Sequence, residues 1–335
     1  MPNVTGSTPF LSRQVSDGGI FMLDSFIFSL NTTLPVFLVI AAGMLLKKLG
    51  VFSESYASMT DRFVFKVALP VLLFKDIANM DFRQDFDVKF VLFCVCATLC
   101  MFLGTWALSA LFIRDKSIIG SFVQGSARGS AAILGIALAV NIYGSSGLAP
   151  LMILSAVPLF NVLSVIILSV HNFSGTSKVG AGTVLKNIIT NPIILGILCG
   201  IPFSLLDIKL PLALSKTVDS ISGVATPMAL LAIGASFSFE SAKQKLKPAI
   251  AASFIKLFLL PCIFLPVAVL FGFSGSALVA IFVMIGSPTT VTCYIMSKNI
   301  GNDHVLSSNI IMLATLFSSV SVTFWVFLMK LLQLI

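Results

Sequence analysis

Charge is scarce in this sequence. Thirteen acidic and 21 basic residues make up 10% of its 335 positions, against about 25% in an average soluble domain. So few charges cannot cover the surface of a soluble globule of this length. Histidine is nearly absent, and the two present, His171 and His304, sit at the ends of apolar runs. No buried Asp pair, Ser–His pair or zinc-ligand spacing can be traced, which argues against an enzyme of any kind, intramembrane ones included. No cofactor or metal is expected. All six cysteines (Cys94, Cys96, Cys100, Cys199, Cys262 and Cys293) lie inside apolar runs. They suit small buried hydrophobes better than a disulfide framework. The net charge of +8 does not point to nucleic acid, because the basic residues are scattered singly or in pairs rather than gathered into a patch. Disorder, a coiled coil, a collagen-like fibre and an ordinary cytosolic enzyme are excluded as well.

What is abundant is apolar length. Hydrophobic residues make up 57% of the chain, and the mean hydropathy is +1.06. A transmembrane helix needs about 20 mostly apolar residues. The sequence predicts ten spans, near 26–46, 63–79, 88–113, 117–143, 148–170, 184–206, 212–237, 247–272, 276–297 and 305–334. The fold class is therefore an all-α polytopic membrane protein whose first partner is the lipid bilayer. Residues 1–21 read as a loose extension, and the Gly-, Ser- and Thr-rich 171–183 as a linker at the midpoint. The first apolar run is too long for a signal peptide, and Lys47-Lys48 follows it as a stop, so no cleavage is expected. Loops after the odd-numbered spans hold twelve lysines and arginines, and the opposite side, with both termini, holds seven. The positive-inside rule then places the linker in the cytoplasm and both termini outside the cytoplasm, in the plasma membrane.

The two halves echo each other at a shift of 157 residues. Pro35 falls on Pro192, Gly43 on Gly200, Pro70 on Pro227, Gly129-Ser130 on Gly286-Ser287 and Gly144 on Gly301. A repeat of five spans is odd-numbered, so the second copy must enter from the opposite side. Residues 22–170 and 184–335 would be two inverted five-helix repeats, an architecture of many secondary transporters.

Spans four and nine carry polar, helix-weakening stretches at matched positions. One runs from Gln124 through Arg128, Gly129 and Ser130 to Gly135. The other is Gly286-Ser287-Pro288-Thr289-Thr290. Irregular backbone at membrane depth is tolerated only where it lines a cavity or is buried in protein, so both spans are expected to be broken helices. Close packing by small residues would explain the glycines and serines, but not Arg128. Two cations lie deep in apolar segments, Arg128 and Lys256. Lys256 could instead snorkel to the interface. No acidic residue is expected at comparable depth, since Asp61, Asp76, Asp87, Asp219 and Glu240 fall at span ends. This also weighs against a carboxylate-based proton relay. Two unpaired cations beside two helix N-termini describe a site for an anion. Pro70 and Pro227, with Gly135, are candidate kinks or hinges.

The run Arg128-Gly-Ser130-Ala-Ala-Ile-Leu-Gly135-Ile-Ala137, continuing to Asn141-Ile-Tyr-Gly144, resembles the fourth-span signature of the auxin efflux carrier family. Pro35 with Lys47-Lys48-Leu-Gly50, Phe65-Lys-Val-Ala-Leu-Pro70, Lys256-Leu-Phe-Leu-Leu-Pro261 and Ser287-Pro288 also match. That family includes bacterial malonate- and malate-type permeases and plant PIN carriers. The resemblance implies two inverted repeats, broken helices crossing in spans four and nine as in sodium/proton antiporters, a scaffold of spans one, two, six and seven, and carriage of organic anions. Members often carry Asn where Ser130 stands and Pro where Ala137 stands. The function expected is alternating-access transport of a small organic anion such as a dicarboxylate. Gln124, Arg128, Gly129, Ser130, Lys256, Gly286, Ser287, Pro288, Thr289 and Thr290 would form the site, and a homodimer is allowed. The alternative is a membrane-embedded sensor using the same anion site without net transport; no soluble signalling module is visible in these residues.

Overall fold

The computed structural model describes residues 27, 34–79, 87–131, 138–139, 142–143, 147–171, 186 and 189–335. Gly135, Ala137, the 1–21 extension and all but His171 of the 171–183 linker lie outside the described residues. Among those described there is helix and no strand. In chain order the helices are α1 (34–48), α2 (Glu54–Phe63), α3 (Leu69–Ala78), α4 (Val88–Phe112), α5 (Ile119–Ala127), α6 (Ala149–Val170), α7 (Pro192–Leu205), α8 (Leu212–Gly223), α9 (Ala225–Ser236), α10 (Phe239–Gln244), α11 (Leu246–Phe254), α12 (Leu260–Leu270), α13 (Gly275–Gly286), α14 (Thr292–Ile300) and α15 (His304–Leu331). A π-helical turn, Val64–Ala68, joins α2 to α3, and another, Ile255–Leu259, joins α11 to α12. Five stretches are long and apolar enough to cross a membrane: Val88–Phe112, Ala149–Val170, Leu212–Ser236, Leu246–Leu270 and His304–Leu331. Large apolar side chains point outward along them, with Leu270 85% and Leu111 and Phe112 each 78% exposed. In water such a surface would drive aggregation, whereas in lipid it is the favourable face.

Helix ends follow local chemistry. Asp87 caps α4 by accepting from Phe90 N at 3.0 Å, and Asp303 caps α15 by accepting from Leu306 N at 2.9 Å. Asn191 caps α7, and Pro192 follows at the first position, where a missing N–H costs nothing. In the loop after α4, Asp115 accepts from both the backbone N–H and the hydroxyl of Ser117. The Ser117 hydroxyl, first of all, holds its carboxyl below the ordinary value. The candidate kinks sit beside irregular backbone. Pro70 follows the π turn Val64–Ala68, and Pro227 lies in the first turn of α9, just after the interruption at Val224. Proline cannot donate to the carbonyl one turn back. At Pro261 the consequence is visible: Leu257 O accepts instead from Ser321 Oγ at 3.1 Å and Trp325 Nε1 at 2.9 Å, both on α15.

Two main apolar clusters organise the packing. The first joins α4, α5, α6, α12, α13 and α15 through residues such as Phe102, Val123, Phe160 and Phe282. The second joins α1, the α2–α3 helix, α7 and α9 through Ile40, Leu73, Ile197 and Ile233, and takes in Cys293, Tyr294 and Met296 of α14. Within the second cluster the helices meet at glycines. A methyl group on Gly43 of α1 would lie 2.3 Å from Leu231 O, and one on Gly200 of α7 would lie 2.9 Å from Phe74 O. Gly43 and Gly200 are 157 positions apart, and so are Phe74 and Leu231. The same contact is thus made twice, with the roles of the two halves exchanged.

One expectation about burial fails. The helix of span two starts at Glu54 rather than near 63, because Ser53 caps it, accepting from Tyr56 N at 3.1 Å. Asp61 therefore lies within the helix rather than before it, and it is 2% exposed.

Candidate functional site

Span four stops being helical at Arg128, Gly129 and Ser130, and span nine stops from Ser287 to Val291. Glycine and proline at these points weaken the i→i−4 ladder. The freed backbone groups are used between the two breaks. Ser130 N donates to Pro288 O at 2.8 Å, and Thr289 Oγ1 donates to Gly125 O at 2.7 Å. The breaks therefore cross in contact. Only glycine fits at position 129, since a methyl group there would lie 2.3 Å from Ser287 Oγ and 3.0 Å from Lys256 Nζ. Gly286 is similarly tight against Phe282 and Pro261.

The two deep cations have different surroundings. Lys256 is 0% exposed, so it does not snorkel. Its Nζ donates to Ala127 O at 3.1 Å and to Met284 O at 3.4 Å. Ala127 ends α5, and Met284 lies in the last turn of α13. One ammonium thus sits against the carbonyl ends of both half-helices, where the macrodipole is negative. Arg128 is 5% exposed. Its Nη2 donates to Asn161 Oδ1 at 2.7 Å; Nη1 faces Ser164 Oγ at 3.5 Å and Met296 Sδ at 3.0 Å. Asn161 is oriented by its own Nδ2, which donates to Val157 O at 2.9 Å. Among the described residues no carboxylate forms an ion pair with Arg128 or Lys256.

Around the guanidinium the side chains are polar and neutral. Gln124 Nε2 meets Met296 Sδ at 3.4 Å, and Gln124 Oε1 accepts from Ser297 Oγ at 3.2 Å. Ser121 and Ser307 extend this file through Ser297, at 3.2 and 2.7 Å. Ser287 Oγ is buried without a hydrogen-bond partner. Thr290 and Thr292 hydroxyls lie 3.5 Å apart at the start of α14. Of the sequence-predicted site residues, Gln124, Arg128, Gly129, Ser130, Lys256 and the 286–290 run converge here. Asn161, Ser164, Met296 and Ser297 join them unforeseen. A legible signal existed for Asn161, an amide in the middle of the very apolar α6.

A second polar cluster was not anticipated. Asp61 Oδ2 forms an ion pair with Lys298 Nζ, on the second half-helix of span nine. Lys298 also donates to Tyr294 OH at 3.0 Å and Ser236 Oγ at 3.2 Å. Elsewhere, a polar pocket of about 460 Å³ is lined by Phe74, Lys75, Asn79, Asp207, Lys209 and Asp219, among others. It lies at the opposite end of the α2–α3 helix from Asp61 and contains none of the crossing residues.

Comparison with known proteins fits this geometry. Residues 28–326 match the family described as Membrane transport protein. The chain is 24% identical over 307 residues to an "Uncharacterized transporter" of Methanothermobacter thermautotrophicus, a match that spans 90% of this chain and 98% of that protein. It is 25% identical over 305 residues to a "Putative malonate transporter" of Rhizobium meliloti, spanning 89% of this chain and 94% of that one. A multi-pass helical chain with broken helices and a buried, acid-free arginine thus belongs to the membrane transport protein family, the auxin efflux carriers that its fourth-span residues resemble.

Proposed function

We propose that the protein is a secondary carrier of small organic anions, with malonate-like dicarboxylates as the first class to test. The observation that carries this reading is Arg128, a buried guanidinium at the crossing whose protein partners are all neutral. A buried cation without a counter-charge is costly, and a substrate carboxylate would remove that cost. Guanidinium binds carboxylate through two parallel N–H donors. The Thr290 and Thr292 hydroxyls and the first N–H groups of α14 would receive the second carboxylate. Lys256 holds the crossing together by neutralising both carbonyl ends and does not itself touch the anion. The reciprocal glycine contacts support two inverted repeats, residues 22–170 and 184–335, joined by a cytoplasmic linker. Alternating access would move spans three to five and eight to ten against a scaffold of spans one, two, six and seven, in the plasma membrane, with both termini outside the cytoplasm.

Calorimetry with malonate on purified protein tests the site. Arg128→Ala should lose about ten- to more than a hundredfold in affinity, the equivalent of about 1.5–3 kcal/mol for a charge-assisted contact. Arg128→Lys, which keeps the charge but not the fork, should fall between parent and Arg128→Ala. Unchanged malonate binding and uptake in Arg128→Ala would remove Arg128 from the site. Orientation is tested by a cysteine at Ser241 in a cysteine-free background. It should resist an impermeant thiol reagent in intact cells, and labelling from outside would reverse the topology.

A further inference from the structure

The half-helix α14 has two faces. Met296 points toward Arg128 and Gln124, on the anion side. Tyr294 and Lys298, four residues apart and so on one face, point toward Asp61 and Ser236 on the opposite side. One short helix, nine residues long, therefore links the anion site to α2 and α9 of the second apolar cluster. The non-helical stretch 287–291 separates it from α13.

Asp61 has few ways to keep its charge. It is 2% exposed, and Lys298, 24% exposed, is its only ion-pair partner among the described residues. Its Oδ1 has no hydrogen-bond partner. From α14, Lys298, Tyr294 and Asn299 surround it; the Asn299 amide donates to the Asp61 main-chain oxygen at 3.4 Å. From α9 the nearest polar group is Ser236, which reaches the cluster through Lys298. At the start of α15, the His304 ring packs edge-on against Tyr294. On its own helix, Arg62 and Lys66 are exposed, and neither forms an ion pair with Asp61 among the described residues. If α14 withdraws and takes Lys298 with it, Asp61 loses its one counter-charge among the described residues and is left beside the largely apolar faces of α2 and α9. A buried carboxylate stripped of its counter-charge costs several kcal/mol, and such a group takes up a proton instead.

We propose that Asp61 is the proton-binding group of the carrier, and that its pair with Lys298 latches α14 against α2 whenever Asp61 is ionised. This rests on the carrier reading above. Opening the latch converts Asp61 from carboxylate to carboxylic acid with uptake of one proton, while Lys298 keeps its charge. Closing it returns that proton. Low pH favours the open latch and high pH the closed one. Coupling to a pH gradient follows when Asp61 takes up its proton while the carrier is open to one side and releases it while the carrier is open to the other, so that one proton crosses with each anion.

The test uses full-length protein in proteoliposomes with labelled malonate and the membrane potential clamped at zero. The variants are Asp61→Asn and the charge-free double variant Asp61→Asn with Lys298→Gln, which keeps folding tractable if Asp61→Asn alone strands a buried lysine. The parent should accumulate malonate about tenfold for each pH unit of imposed gradient, as one coupled proton requires. The double variant should exchange malonate yet accumulate none, and it controls for protonation of malonate itself. Accumulation by the double variant equal to that of the parent overturns the proposal. So does exchange by the parent that ignores the pH gradient, an outcome that leaves the carrier reading standing. If the parent moves no malonate at all, that reading fails for malonate, and infrared difference spectra decide the rest. A protonated-carboxyl band that appears in the parent on acidification and is missing in Asp61→Asn supports the proton site; identical spectra overturn it.

Discussion

Two ion pairs mark the two ends of the helix formed by α2 and α3, and their differences are informative. At one end Lys75 pairs with Asp219 of α8 at 2.6 Å, with side chains 35% and 51% exposed. At the other, Asp61 pairs with Lys298 of α14 from a position almost wholly out of water. The chemistry is the same, but the surroundings and the bodies joined are not. Lys75–Asp219 ties α3 of the second apolar cluster to α8, which contributes no residue to that cluster. Asp61–Lys298 joins α2 to α14, a half-helix packed into the same cluster through Cys293 and Tyr294 and carrying Met296 against Arg128. Exposed pairs contribute little because water competes for both partners, whereas removing one partner of a buried pair leaves a desolvated charge. On that ground the buried pair should matter more to the position of its helix than the exposed pair does.

The crossing sets the upper limit of that scale. Lys256 reaches two helix C-termini in a site with no water access. Lys256→Met preserves volume but leaves two buried carbonyls without a donor. At about 1–3 kcal/mol for each unsatisfied group, the expected cost is about 3 kcal/mol or more. Thermal unfolding in detergent should show a large fall in melting temperature, with malonate uptake lost. A variant that melts like the parent would show that the ammonium is not what holds the breaks together.

The buried pair comes next. Asp61→Ala should destabilise by about 3 kcal/mol, since Lys298 is left partly desolvated beside Tyr294. Adding Lys298→Met should restore most of that loss, so a double-mutant cycle at neutral pH should give a coupling of about 2 kcal/mol. Additive losses would mean that the two residues do not act as a pair, and the contrast between the ends of the helix would disappear.

Some of this was legible in the residues. Glycine and proline at matched depths located both breaks, and Arg128 stood out because few other reasons exist for a guanidinium in mid-span. The 157-residue shift picked out Gly43 and Gly200, whose reciprocal contacts follow from it. Asp61 was missed because an apolar run was used to bound the helix, whereas the Ser53 cap starts it at Glu54, in a polar stretch. Lys256 reads in the sequence as a deep cation without an acidic partner, and the structure gives it carbonyl partners, Ala127 O and Met284 O. Its partners are backbone carbonyls, which no side-chain inventory reveals. Asn161, Ser164 and Met296 came to Arg128 from helices far apart in sequence, through packing alone.

The smallest expected effect is the sharpest control on the comparison. Lys75 and Asp219 form a short, direct ion pair, and distance alone would rank it with the buried one. Burial argues otherwise. Both side chains keep substantial contact with solvent, salt screens their attraction, and holding two long side chains in one geometry costs rotamer freedom. The Lys75→Ala, Asp219→Ala cycle should therefore give a coupling below about 1 kcal/mol that shrinks further as salt is raised. Malonate uptake should keep its parental pH response in both single variants, since neither residue contacts α14. The same cycle at Asp61 and Lys298 should change little with salt, because ions cannot enter a buried site. If the Lys75–Asp219 coupling equals the buried one, or if Lys75→Ala alters the pH response, then burial is not what separates the two ends, and the special role given to Asp61 fails with it.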